Sequence, residues 1–339
     1  MGRYLRVNVV EPTKVVITGA SGQIGSNLIR WLEQQGPEKY QAIGIDKNSF
    51  PWWDLSQSAV VKDFYRGDIA ESSFDLSPLM EWADVVIHLA AYAKVHELVE
   101  YPDRAVSNFM SIYRVAEACR RHNTPVVFAS SREVYGNKPE FEVRSVREDD
   151  AHIQAQESPY SATKLAGEAM LHACHKSYDL PFVIVRFSNV YGRYDNDLER
   201  MERVIPLFAK RISKGEPIEV FGKNKTLDFT YIDDAIDGLT RAMRALLANH
   251  KRHGTVVGAT FNLAYGRGST LWDLVNLLSL SIGKEPVVTF TDPLRGEVTY
   301  YIADISKAKL QLGYQPKTPL SAGVISTVEW YKSVGFISL

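Results

Sequence analysis

A doubly wound parallel α/β sheet, accompanied by a smaller mixed α/β lobe, is the fold class this sequence predicts. Three observations carry the prediction. Short apolar, β-branched runs alternate with helix-length segments through the first half. The first run breaks at a glycine-rich turn that leads straight into an amphipathic segment. The second half mixes helices with short strands.

The first run, Lys14-Val15-Val16-Ile17-Thr18, suits a strand buried on both faces. It breaks at Gly19-Ala20-Ser21-Gly22-Gln23-Ile24-Gly25, and residues 26–33 continue with helical apolar spacing. Gly19, Gly22 and Gly25 permit a tight turn and close backbone approach, while the N–H groups of a helix start favour a pyrophosphate. A second strand over residues 41–46 ends in Asp46. An acid about 20 residues past such a turn accepts both hydroxyls of an adenosine ribose. Together these residues predict a Rossmann-type dinucleotide site, and Asp46 argues for NAD because a carboxylate repels a 2′-phosphate. Lys47 beside it leaves NADP open.

Further strands are expected near residues 60–65, 84–88, 125–129 and 181–187, with long helices over 103–122 and 158–178. Ligands in such sheets bind at the carboxyl ends of the strands. Asp68, Ala90, Ala91, Ser131 and Asn189 therefore converge on one expected cleft. The expected large domain spans residues 1–187, completed by later segments near 229–263. Residues 188–339 should form mainly the smaller lobe, interleaved with the first, with helices over 204–214, 232–248, 271–282, 305–312 and 322–334 and a strand at 218–221.

Composition narrows the class of function. The chain has 339 residues, 45% hydrophobic and 23% charged, with a formal net charge of −1. That balance suits a globular enzyme and offers no electrostatic footprint for nucleic acid. No apolar run approaches the roughly 18 residues that span a membrane, and residues 1–13 lack the apolar core of a signal peptide. A cytoplasmic location is expected. Cys119 and Cys174 both fall in expected helices and read as packing residues, with no metal site.

Chemistry enters with Tyr160-Ser161-Ala162-Thr163-Lys164. Residues four apart share a helix face, so the Lys164 ammonium is expected beside the Tyr160 phenol. A cation there favours phenolate and lowers the tyrosine pKa from about 10. Tyr160 can then take a proton from a sugar or alcohol hydroxyl as hydride leaves the same carbon for a nicotinamide.

These motifs, with His88-Leu89-Ala90-Ala91, Ser130-Ser131-Arg132-Glu133-Val134-Tyr135-Gly136 and Arg186-Phe187-Ser188-Asn189-Val190-Tyr191-Gly192, resemble the extended short-chain dehydrogenases that modify nucleotide sugars. The resemblance continues through Asp228-Phe229-Thr230-Tyr231 and Leu294-Arg295-Gly296-Glu297, so it covers nearly the whole chain. It implies a tightly held NAD that oxidises the sugar at C4 and takes the hydride back. It makes Tyr160 the base, tuned by Lys164, which also holds the nicotinamide ribose, and gives Ser131 the reacting hydroxyl. The cofactor would touch Gln23, Ile24, Asp68 with Ile69, Leu89, Ala90, Ala91, Lys94 and Asn108. The nucleotide diphosphate would meet Asn189 and Arg295, and the base would lie near Val220 and Phe221. The helices over 103–122 and 158–178 resemble those through which members of the family form homodimers.

Two departures bear on the reaction. Glu133 stands where dehydratases and decarboxylases of the family often carry an acid, and a carboxylate there can remove a C5 proton beside a 4-ketone. The Asp that usually pairs with it in dehydratases is Arg132 here. Arg132 either reaches into the cleft, where it can receive a hexuronate carboxylate, or faces away with Glu133 bonded to backbone or to Arg132 itself. Second, Leu227 replaces an arginine that members use as a phosphate ligand, a loss of roughly 1.5–3 kcal/mol unless Lys223, Lys225 or Arg193 substitutes. Residues 195–200 read as a solvated loop, and the aromatic segment 49–55 as local packing, an adenine cover or a partner contact. The reading is C4 epimerisation of a nucleotide-linked hexose. The alternatives are a dehydratase or decarboxylase using Glu133, and an NAD-sensing binding protein.

Overall fold

The computed structural model describes residues 11–137, 144–199, 203–249, 255–294, 296 and 298–338. Its first half runs β1 (Thr13–Thr18), α1 (Gln23–Gln35), β2 (Tyr40–Asp46), β3 (Val61–Arg66), α2 (Ser77–Trp82), β4 (Val85–His88), α3 (Val95–Glu100), α4 (Asp103–His122), β5 (Val126–Ser131), α5 (Pro159–Tyr178) and β6 (Phe182–Phe187). There follow β7 (Asn189–Tyr191), α6 (Val204–Lys214), β8 (Ile218–Phe221), β9 (Thr226–Tyr231), α7 (Ile232–Asn249), β10 (Ala259–Leu263), β11 (Gly268–Thr270), α8 (Leu271–Ile282), β12 (Val288–Thr291), α9 (Ser306–Leu312) and α10 (Leu320–Ser333).

Seven strands form one parallel sheet in the order β10-β6-β5-β4-β1-β2-β3. Successive side chains of a strand point to opposite faces, and here both faces are covered. Val15, Ile17, Val127, Val183 and Val185 pack with Leu28, Ile29 and Leu32 of α1 and Leu239 and Met243 of α7. Val16, Val86, Val126, Phe128 and Ile184 pack with Ile112 and Val115 of α4 and Leu171 of α5 on the other side. This is why the strands read as unbroken apolar runs, each fully buried side chain contributing roughly 1.5–3 kcal/mol. Cys119 and Cys174 are buried in that second layer as free thiols.

Strand order reverses between β1 and β4, and open sheets of this type place their crevice at such a point. The second half adds a three-stranded sheet, β11-β9-β7, and a parallel pair, β12-β8. The chain then returns, and β10 pairs with β6 at the edge of the large sheet. Helices α4, α6 and α8 and strand β8 carry the bounds expected of them, whereas α2, α3, β7, β9, β11 and β12 were not anticipated. Those elements are short, and short elements leave little periodicity to read. Among the described residues no helix is long and apolar enough to cross a membrane, and no cluster of three His, Cys, Asp or Glu side chains could hold a metal ion.

Candidate active site

A cleft of about 480 Å³ opens along the carboxyl ends of β1, β2, β4, β5 and β6. Its floor at one end is the glycine turn. Gly19 has φ +72°, and a Cβ there would lie 2.7 Å from the Ala90 backbone nitrogen. At Gly25 a Cβ would lie 2.4 Å from the Gly19 carbonyl oxygen. Helix α1 starts after Gly22 with no side-chain cap and no acid in its first turn, which leaves its positive end to an anionic ligand. Asp46, buried at the end of β2, accepts hydrogen bonds from the backbone N–H of Ser21 (3.0 Å) and of Asn48 (2.9 Å). A glycine cradle that side chains would fill and an acid at the adjacent strand end together fit NAD.

The other expected cofactor residues line the same cleft, but not all by their functional groups. Gln23, Ile24, Asp68, Ile69, Leu89, Ala90, Ala91 and Lys94 are all on its wall. Asn108 spends both ends of its amide on the backbone of Tyr92, at 2.7 and 2.9 Å, and so fixes the loop after β4. Lys47 lies with its ammonium 3.6 Å from the centre of the Tyr92 ring, linking the loops after β2 and β4.

At the other end β5 delivers Ser131 and α5 delivers Tyr160 and Lys164. Helix α5 begins where it does because Ser158 caps it, its hydroxyl accepting from Ser161 N at 3.2 Å, with Pro159 as first residue. Tyr160 therefore sits in the first turn, beside the end of β5. The Ser131 hydroxyl accepts from Glu133 N at 3.2 Å and lies close enough to the Tyr160 phenol to act on its proton affinity.

The electrostatics differ from expectation. Burial pushes the Tyr160 phenol up to about 12; the Ser131 hydroxyl, Arg203 and Arg132 oppose that shift, and Glu133 adds to it. Lys164 donates its ammonium to the Ala129 carbonyl at 2.7 Å rather than to the phenol. Burial lowers Lys164 to about 8, and the Glu168 carboxylate opposes the fall. The spacing of Tyr160 and Lys164 was legible in the sequence, but the competing carbonyl is a product of packing.

Arg132 does not face away from the cleft. It lines the wall, pairs with Glu133 through Nη2 and Oε1 at 2.6 Å, and donates Nε–H to Asn189 Oδ1 at 3.2 Å. Both members of the pair are buried. Asn189 also donates to the Asp228 carbonyl at 3.2 Å. Val220 is buried and Phe221 half-buried, and neither lines the cleft; their strand β8 pairs with β12. Arg295 lies outside the described residues.

Leu227 is a core residue. Of its expected substitutes, Lys223 stands over the Trp272 and Phe290 rings, Arg193 binds Asp233 and Tyr231, and neither these nor Lys225 lines the cleft. A further cation on the cleft wall is Arg203, which the sequence did not single out. Its Nη1 donates to Gln23 Oε1 at 2.5 Å and to the Val190 carbonyl at 3.0 Å. The loop before it is not solvated throughout. Asp195 is buried and accepts from the Tyr331 hydroxyl at 2.6 Å and Gly192 N at 3.2 Å. Trp52, from the aromatic segment, packs on Tyr194 at 4.9 Å, and both line the cleft.

Asp195 gives a pH signature. Burial raises its carboxyl from 3.8 to about 6, so the folded protein holds a proton that the unfolded chain releases earlier. Stability from this group is full below about pH 4 and is lost as pH rises through its folded pKa, by roughly 3 kcal/mol. Relative to Asp195→Asn, the wild-type protein should lose that amount between about pH 4 and pH 7 in urea melts. Parallel profiles would remove Asp195 as a buried titrating acid.

Residues 15–263 match the model of the NAD dependent epimerase/dehydratase family. The chain is 32% identical over 335 residues to a Bacillus subtilis protein named uncharacterized UDP-glucose epimerase YtcB, covering 95% of this chain and 98% of that one. It is 31% identical to UDP-glucuronate 4-epimerase 2 of Arabidopsis thaliana, across 96% of this chain and 77% of the relative. The crystal structure of UDP-glucuronic acid 4-epimerase from Bacillus cereus, in complex with UDP-glucuronic acid and NAD, superposes with a TM-score of 0.82 at 30% identity. That match covers 95% of this chain and all of the other. With the glycine cradle, Asp46 and the Ser131, Tyr160 and Lys164 set in one cleft, the chain belongs to the NAD dependent epimerase/dehydratase family and is an NAD-dependent nucleotide-sugar epimerase.

Proposed function

We propose that the protein inverts C4 of a nucleotide-linked hexose, with Tyr160 as the proton-transfer group. The observation that carries this reading is the meeting of Ser131 and Tyr160 at the end of the cleft opposite the glycine cradle. NAD, when bound, would supply a reversible hydride acceptor for C4 of the sugar. The glycine turn, the start of α1 and Asp46 would hold its pyrophosphate and adenosine end, and Lys164 its nicotinamide ribose.

Tyr160 Oη takes the proton of the C4 hydroxyl and gives one back after the ketone has turned over. Ser131 holds that hydroxyl and stabilises negative charge on the oxygen as it develops. The phenol titrates far above neutral pH in the resting cleft, so the reaction needs a cation brought to it. Lys164, one helical turn away, can supply this by leaving the Ala129 carbonyl. Asn189 and Arg203 are the polar groups placed to hold the nucleotide part. Relatives named for UDP-glucose and for UDP-glucuronate support a UDP-sugar.

A homodimer is part of the reading, supported by the exposed Val106, Met110 and Tyr113 on α4. Cytoplasmic residence is supported by two free, buried cysteines.

The deciding experiment incubates the protein with a panel of nucleotide sugars in heavy water and separates the products by chromatography with mass detection. A new isomer of unchanged mass is expected. Loss of water or of carbon dioxide would overturn the epimerase and make Glu133 central. Because Glu133 is already paired with Arg132, Glu133→Gln should retain epimerisation within about tenfold, less than removal of a general base costs. A loss of more than a hundredfold at unchanged folding would make it a proton carrier.

A further inference from the structure

One buried charge behind the cleft is not used by the chemistry above. Glu168 lies on α5 four residues beyond Lys164 and eight beyond Tyr160, on the same helix face. It is buried and does not line the cleft. Its Oε1 accepts from the Ser130 hydroxyl at 2.5 Å and from Arg186 Nε at 2.9 Å, and its Oε2 accepts from Arg186 Nη2 at 2.6 Å. Arg186, on β6, donates its other nitrogen to the Tyr135 hydroxyl at 3.0 Å and the Glu148 carbonyl at 2.6 Å. The Tyr135 hydroxyl in turn donates to Asn262 Oδ1 on β10 at 2.5 Å.

The network ties α5 to three neighbouring strands at the level of the reacting groups. Ser130 is the residue before Ser131, so the carboxylate grips the last turn of β5 that presents the catalytic hydroxyl. The surroundings of Lys164 give the charge a second task. From β5 Lys164 meets the Ala129 carbonyl and the Phe128 ring, and from its own helix the Tyr160 ring. From β4 it faces His88, which burial and the nearby ammonium keep neutral, titrating at about 3. Arg186 is a cation, and its charge is matched by Glu168. Glu168 is the charged group that acts to keep Lys164 protonated.

We propose that Glu168 is a positioning residue for the proton-transfer pair: its carboxylate keeps Lys164 an ammonium in a buried site, and its bond to Ser130 sets the end of β5 that carries Ser131. Its catalytic consequence rests on the Tyr160 and Lys164 reading above, whereas its electrostatic part does not. An unpaired Lys164 would shed its proton close to neutral pH and would no longer be a cation able to favour phenolate.

The test follows Lys164 directly, by NMR titration of the full-length protein labelled with ¹³C at lysine Cε, the signal assigned by Lys164→Arg. In Glu168→Gln the Lys164 midpoint should fall by about one pH unit, a tenfold loss of proton affinity. Glu168→Asp, which keeps the charge, should stay near the wild-type midpoint. Glu168→Gln strands a buried Arg186, so Glu168→Gln/Arg186→Gln is the companion variant if the single one fails to fold, and the same fall is expected in it relative to Arg186→Gln. In activity, the alkaline limb of the kcat profile should move to lower pH in the same variants, with KM changed less than twofold. A Lys164 midpoint in the double variant equal to that of Arg186→Gln, or a wild-type midpoint in folded Glu168→Gln, would overturn the proposal and leave Glu168 a structural ion pair. A shifted midpoint in a protein that converts no nucleotide sugar would uphold the electrostatic role and refute the function instead.

Discussion

Tyr160→Phe should lower kcat by roughly 10²- to 10⁴-fold while NAD remains bound. That span is what a positioned acid–base group contributes, and the neighbouring Ser131 hydroxyl is engaged by Glu133 N. The substitution removes one oxygen from a buried ring and leaves the packing of α3 and α4 against it intact. Folding should therefore be preserved, and NAD content measured from the denatured protein should match the wild type. Turnover within tenfold of wild type would remove Tyr160 from the role and shift attention to the Arg132 and Glu133 pair. The pH profile adds a check, because the phenol titrates near 12 in the resting cleft. If Lys164 moves to it only when ligands are present, the ascending limb of kcat should fall well below that value.

The second large effect is expected at the cofactor cradle. A Cβ on Gly25 would meet the Gly19 carbonyl oxygen at 2.4 Å and Ala20 Cα and O at 2.8 Å. All three are backbone, and none can swing away as a flexible side chain would. Gly25→Ala must therefore push α1 off the turn, spoiling the N–H groups aimed at the pyrophosphate. A loss on the order of 100-fold in NAD affinity corresponds to about 3 kcal/mol. Gly19→Ala adds the left-handed strain of φ +72°, worth roughly 1–2 kcal/mol. Calorimetric titration with NAD measures the first effect and thermal melts the second. Wild-type affinity in Gly25→Ala would mean that the turn is not the pyrophosphate site.

Much of this architecture could be read from residues alone. The sheet strands announce themselves because burial on both faces demands unbroken β-branched runs, and the glycine turn because few other sequences allow so close a backbone. Tyr160 and Lys164 were found because helix geometry fixes what four residues apart means. What escaped was set by tertiary choice. Nothing local tells a lysine to bond Ala129 O instead of a neighbouring phenol, or tells Arg132 to pair with Glu133 inside the cleft. Arg203 and Asp195 sit around a polar stretch whose composition reads as solvated, and their inward placement depends on Gln23 and Tyr331, far away in the chain. Val220 was placed at the nucleotide by resemblance; its side chain is buried and lies off the cleft wall.

The late arrival of β10 has a consequence for how the protein is made. Strand β6 leaves the ribosome with one row of N–H and C=O groups unpaired, and its partner is not synthesised until all of β7 to α7 has followed. At roughly 5–20 residues per second, that is a window of several seconds or more. Through that interval the nascent chain carries an apolar sheet edge, Phe182 to Phe187, of the kind that pairs with other chains. The hazard lies in translation rather than in the finished fold, and it grows wherever the ribosome pauses between those two strands.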